Sequence, residues 1–227
     1  MKKKVVLFVA IILVVTLFSC VLIGCNKDNE NSISTPKDFW DKYLASNSKI
    51  CITYNMEEPE TLYTIRLDSN RIEALFPDST QYWEYVNDSL FMYYKDESTS
   101  WTKENLGSIP VYAESQNIEG ECTDLLTFFN KSNMFEVMRF NGIFNNEDWK
   151  VDFDKDVTEK DGWIVVTNED SEYLGYALKM ISNNELQIIQ NFDDYKEGYG
   201  YITKFIIGND KEIVIPQEAK AAGESNS

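Results

Sequence analysis

Between residues 50 and 215, apolar side chains recur at every second position in short runs, broken by turn residues about every ten positions. Side chains alternate faces along a strand, so this period demands an antiparallel sheet. Ile50, Ile52, Tyr54 and Met56 alternate with polar neighbours, and Tyr63, Ile65 and Leu67 do the same before Asp68-Ser69-Asn70. Strands are predicted over 71–76, 81–86, 90–95 and 100–103, with turns at Pro77-Asp78-Ser79 and Asn87-Asp88-Ser89. The pattern returns over 149–153, 163–167, 173–181, 186–192, 199–207 and 212–215, with Asn183-Asn184 as a hairpin turn. No helical pattern separates successive strands within either series, which excludes a βαβ fold.

Helical period is confined to two places. Thr35-Pro36-Lys37-Asp38 combines a cap, a first-turn proline and an acid near the positive end of the helix dipole. Phe39, Trp40, Tyr43 and Leu44 then form one apolar face, ending near Ser46. Residues 104–121 are expected to be a loop broken by Gly107, Pro110 and Gly120. After it, Cys122, Leu125, Leu126 and Phe129 fall at i, i+3, i+4 and i+7. Asn133-Met134-Phe135-Glu136 has the form of a capping box, Met134, Val137 and Met138 supply a second apolar face, and Gly142 ends it. Residues 217–227 are expected to fray.

The first twenty-five residues carry the address. Lys2, Lys3 and Lys4 precede an apolar run from 5 to 23, which leads into Leu22-Ile23-Gly24-Cys25. A basic start, an apolar stretch and a small residue before the cut make an export signal. The end resembles the lipobox of bacterial lipoproteins, which implies cleavage after Gly24 and thioether lipidation of Cys25. Leu17-Phe18-Ser19-Cys20 is an alternative cut site, with Phe18 the poorer fit. An uncleaved helix is the other alternative: 19 residues at about 1.5 Å each nearly span a hydrocarbon core of about 30 Å. All of these readings put the rest of the chain on the extracytoplasmic face of the cell membrane. The expected organisation is a signal peptide over 1–24, a lipidated tether over 25–34, one domain over 35–219 and a frayed tail over 220–227.

The signal removes three of 21 basic residues and no acid, leaving 18 bases against 38 acids, a net charge of −20. Such a surface repels nucleic acid and anionic headgroups, so the membrane partner is reached through the lipid alone. Histidine is absent from the chain, which removes the Ser-His-Asp and Cys-His nucleophiles and the commonest general base. Asp152, Asp154 and Asp156 suggest a calcium loop, but Val157 and Trp163 stand where an EF-hand needs Gly and Glu. Neither a metal nor a cofactor is expected, and the chain is read as non-enzymatic. Cys51 and Cys122 remain as thiols outside the cytoplasm. Cys51 is predicted on a polar Lys49-Cys51-Thr53-Asn55 strand face and Cys122 on an apolar helix face, which argues against a bridge between them.

A lipobox is followed by a short helix, then by strands with a Tyr/Trp-rich hairpin (Tyr82, Trp83, Tyr85, Phe91, Tyr93, Tyr94, then Trp101). A helical insertion, further strands and Ile213-Val214-Ile215-Pro216 complete the order. This resembles the LolA-like and LppX/LprG-like lipoprotein carrier superfamily over about residues 36–219. The resemblance implies an α+β fold: a curved antiparallel sheet forming an unclosed half-barrel. A short N-terminal helix and the helical insertion would cover its concave face. It also implies a lipid or hydrophobic small ligand between sheet and helices. Carried over by position, the lid is Leu125, Leu126, Phe129, Met134 and Met138, and the facing wall includes Ile52, Tyr54, Ile65, Tyr82 and Phe91. The alternative is a surface interaction or sensor module with a filled core and a protein partner.

Overall fold

The computed structural model describes residues 35–55, 62–132, 137–145, 150–197, 200–208 and 211–223. The first meander comprises β1 (Lys49–Asn55), β2 (Tyr63–Leu67), β3 (Arg71–Leu75), β4 (Ser79–Val86), β5 (Ser89–Asp96) and β6 (Thr102–Asn105). The second comprises β7 (Val157–Lys160), β8 (Trp163–Val166), β9 (Ala177–Ser182), β10 (Glu185–Gln190) and β11 (Tyr201–Ile207). They fuse where β1 pairs antiparallel with β11, Cys51 opposite Phe205 and Thr53 opposite Thr203. The result is one eleven-stranded antiparallel sheet, ordered β6-β5-β4-β3-β2-β1-β11-β10-β9-β8-β7 and left unclosed at β6 and β7. With α1 (Pro36–Ala45), α2 (Ile109–Ser115), α3 (Leu125–Lys131), α4 (Val137–Asn145), α5 (Phe192–Lys196) and α6 (Gln217–Lys220), the domain is α+β.

Register sorts the side chains into two faces. Lys49, Cys51 and Thr53 share a face with Ile65, Leu67, Ile72, Ala74 and Trp83 in one direction. In the other direction they share it with Phe205, Leu186, Ile188 and Leu178. α1 packs on β9, β10 and β11 and on α4. Its Trp40 and Tyr43 meet the edge of Phe205 with centroids 4.9 and 5.2 Å away, and Phe140 of α4 does so at 5.3 Å. Farther along, Tyr112 and Phe128 pack on Trp83 at 5.6 and 5.8 Å. Around Phe205 ring edges meet ring faces, as the aromatic quadrupole favours, whereas Phe128 is tilted at 32° to Trp83 and Trp40 stacks on Tyr43.

The opposite face is covered twice. Phe192 and Tyr195 of α5 pack with Trp163, Val165, Ala177, Ile189 and Ile202. The C-terminal tail lays Ile213, Ile215 and Ala219 on Tyr82, Tyr93, Phe91 and Trp101. Arg71 donates to the Ile213 carbonyl at 3.0 Å, and Lys220 pairs with Glu84 at 2.8 Å. A sheet buried on both faces has few polar positions, and that is why alternation along single strands did not identify the helical side.

Several expectations change accordingly. The Lys49-Cys51-Thr53 face is the buried, helix-bearing one; Cys51 and Cys122 are both buried and are not bridged to each other. Residues 104–121 contain α2 as well as loop, because Pro110 sits in its first turn, where a missing N–H does no harm. Residues 150–153 form no strand: Asp156 accepts from the Asp152 N–H at 2.8 Å and folds the segment into a turn. Residues 173–175 are turn and Tyr176 is irregular, so β9 begins only at Ala177. Residues 212–215 add no strand to the sheet but lie across its outer face, and 217–220 are helical. Strand β7 was not anticipated, although Asp161-Gly162, at φ +56° and +76°, is the Asp-Gly hairpin signal that joins it to β8. The capping box over 133–136 lies outside the described residues.

Gly142 does not end its helix, which runs through it to Asn145. A Cβ at this position would stand 1.8 Å from the Tyr173 hydroxyl, which donates to the Arg139 carbonyl at 3.3 Å. Helix propensity alone makes Gly→Ala favourable by about 1 kcal/mol. Overpacking against the phenol outweighs it, and Gly142→Ala is expected to destabilise by about 1–3 kcal/mol in urea unfolding. In a Tyr173→Ala background, which carries its own cavity cost, the further loss from Gly142→Ala should be smaller than in the wild type.

Candidate ligand groove

Among the described residues, the aromatic packing between helices and sheet leaves the β7–β8 edge partly open. Val157 pairs with Val166, Glu159 with Ile164 and Ile164 with Leu178, so Val157, Glu159 and Ile164 all face the helices. Opposite them stand Thr35, Pro36 and Lys37 at the start of α1, with Phe153 at one side. Together they line a groove of about 500 Å³, within the range of about 300–1,000 Å³ usual for small-molecule sites. Phe153, Val157 and Ile164 are each half-buried, so apolar surface is open to the solvent there.

The walls are held rigidly. The Thr35 hydroxyl accepts from the Asp38 N–H at 3.1 Å, and the Asp38 carboxylate accepts from the Thr35 N–H at 3.2 Å. This reciprocal cap satisfies two of the donors that a helix start leaves free. Lys37 donates to Asp41 at 2.8 Å and to Asn145 of α4 at 2.9 Å, fixing the rim of the groove to two helices. Phe153 stacks on Phe144 at 5.8 Å, and Phe144 on Trp40 at 5.4 Å, so the side wall continues the core. The site has an apolar body and a polar rim of Thr35, Lys37 and Glu159, which suits a ligand with one greasy and one polar end.

The positions named from sequence distribute differently. Leu125 and Phe129 are buried in α3 and Leu126 is half-buried. Met138 is 48% exposed, because α4 buries Val137, Phe140, Ile143 and Phe144 instead. Ile65 lies on the helix-bearing face and is buried. Tyr82 and Phe91 lie on the opposite face, beneath the C-terminal tail, since Trp83 beside Tyr82 holds the helical side and Phe91 pairs with Glu84, on the same face as Tyr82. Ile52 is half-buried and shares register with Lys204, off the helix-bearing face. Tyr54 pairs in register with Ile202, and its side chain, like all of Met134, lies outside the described residues. None of the described positions from this set lines the groove. Thr35-Pro36 was legible as a helix start and 163–167 as a strand, but nothing in the sequence joined the two; the polar strand β7 was not anticipated.

The acidic turn uses its carboxylates internally. Asp152 accepts from the Asp154 N–H at 3.0 Å and pairs with Lys155 at 2.9 Å, and Asp156 accepts from Asn168 at 3.0 Å. Among the described residues no group of three His, Cys, Asp or Glu side chains converges on a metal position. No helix among them is long and apolar enough to cross a membrane. Comparison with family models and with curated proteins gave no match.

Proposed function

We propose that the chain is an extracytoplasmic lipoprotein, held to the cell membrane through the lipid on Cys25, that binds a hydrophobic ligand without transforming it. In this reading the sheet is a curved half-barrel with α1, α3 and α4 over its concave side. The ligand's apolar body enters between sheet and helix at the β7–β8 edge. The observation that carries the reading is the open apolar groove of Phe153, Val157 and Ile164 beneath Pro36. It supports a site at one end of the sheet–helix interface rather than along its middle, where aromatic rings occupy the space.

Ile164→Asp tests it. Ile164 is half-buried, so the substitution leaves the core intact while placing a charge in the groove. Binding of an environment-sensitive fatty-acid probe should weaken at least about tenfold, as expected for losing a buried butyl group and desolvating a carboxylate. Unchanged probe affinity in a folded variant would remove the groove from the account. The filled middle of the interface favours a second reading, a recognition module for a protein partner. In that case the wild-type domain takes up no probe.

A further inference from the structure

Lys49 is a buried cation position that no carboxylate among the described residues pairs with. Its side chain is 0% exposed in the middle of the helix-bearing face. The amine donates to the Leu44 carbonyl at 3.1 Å and to the Asn130 side-chain oxygen at 3.1 Å. Asn130 closes the triangle by donating its own amide to the Leu44 carbonyl at 3.1 Å. Leu44 lies in the last turn of α1, where carbonyls lack helical partners. One junction therefore ties the end of α1, the start of β1 and the end of α3 together.

Among the described residues no counter-charge pairs with the amine. From α1 the amine meets the Tyr43 ring at 5.0 Å, and from α3 the Phe129 ring at 5.7 Å. On β1 the next residue of the same face is Cys51, whose proximity, after burial, keeps the Tyr43 phenol well above its ordinary range. The flanking strands present Leu67 and Ile207. The charged neighbours on the two helices are exposed Lys42 and half-buried Lys131, both cations, and exposed Asp41, held by Lys37. The ring faces and the negative end of α1 favour the ammonium; burial opposes it more strongly. A neutral amine has two N–H groups for its two acceptors, whereas an ammonium has a third with only ring faces to meet.

We propose that the Lys49–Leu44–Asn130 junction is a proton-sensitive latch, holding α1 and α3 on the sheet when the amine is neutral and releasing them when it is charged. Asn130 also lines a surface groove with Gln116, Lys131 and Asn141, so release gives the amine a short route to water. Burial brings the amine's pKa down to about 7. A released or unfolded lysine titrates near 10.4. Between these values the open state holds a proton that the closed state lacks. Opening therefore becomes easier as the pH falls from about 10 to about 7, by about tenfold per unit, and levels off below.

Native-state hydrogen exchange on the full chain, corrected for intrinsic rates, reads this directly. Amides of α1 and α3 should open below the global unfolding limit set by Ile188 in β10. Their opening constant should rise about tenfold per unit from pH 9 to 7 and then plateau. Lys49→Met should abolish the rise. Asn130→Asp, which supplies a carboxylate and keeps the amine charged when closed, should flatten it over the same range and serves if the first variant does not fold. Exchange of α1 and α3 only through global unfolding would overturn the latch, as would a rise that persists in either variant.

Discussion

Phe205→Ala is expected to lower the unfolding free energy by about 3–5 kcal/mol, the range for a buried phenylalanine truncated to alanine. Phe205 lies at the seam between the meanders, on β11 opposite Cys51 of β1. Three rings from two helices meet it within 5.3 Å, nearly perpendicular to it at 75–85°. No single neighbour can move in without abandoning another partner, so the cavity stays open and the loss falls at the upper end. Urea unfolding with an unchanged m-value measures it. A loss under about 1 kcal/mol would mean that the layer repacks freely, contrary to the edge-to-face arrangement described.

A chain ending at Gly208 is expected to lose a similar amount, for a different reason. Removing the tail uncovers Tyr82, Tyr93, Phe91 and Trp101 and withdraws Ile213 and Ile215, each worth about 1.5–3 kcal/mol when buried. Glu84, which burial alone would push up, is held below the usual carboxylate range by Lys220, Tyr93 and Arg71. Without Lys220 its carboxyl should titrate at higher pH. The ordering entropy of the tail is recovered on deletion, so the net loss should be about 3–5 kcal/mol, with strong binding of an apolar dye to the exposed rings. A truncated domain as stable as the whole would reduce the tail to an accessory.

How much of this was legible in the sequence depended on whether a local rule had a competitor. The cap at Thr35, the helix over Phe39, Trp40 and Tyr43, and the strands around Asn87-Asp88 obey rules that nothing contests. The two meanders were visible for the same reason, though their fusion through β1 and β11 is a contact across the whole chain that no period encodes. Facing was not legible. Lys49 reads as a solvent residue and lies fully buried, while Tyr82 reads as a wall residue and lies under the tail. Both errors come from a sheet covered on its two faces, where polarity no longer marks the outside. Gly142 reads as a stop because glycine ends helices. It is kept inside one because Tyr173 occupies the space of a side chain. The groove was the hardest to foresee, since it joins the start of α1 to β8 across the chain and includes β7, whose sequence is polar.

Native mass spectrometry of the soluble chain from residue 26 to 227, with organic extraction of the same sample, tests the central claim most directly. The account predicts a discrete added mass that extracts as a lipid and is lost in Ile164→Asp. A clean apo mass, together with no uptake of a fatty-acid probe, would contradict ligand binding and leave the domain as a recognition module with a filled core.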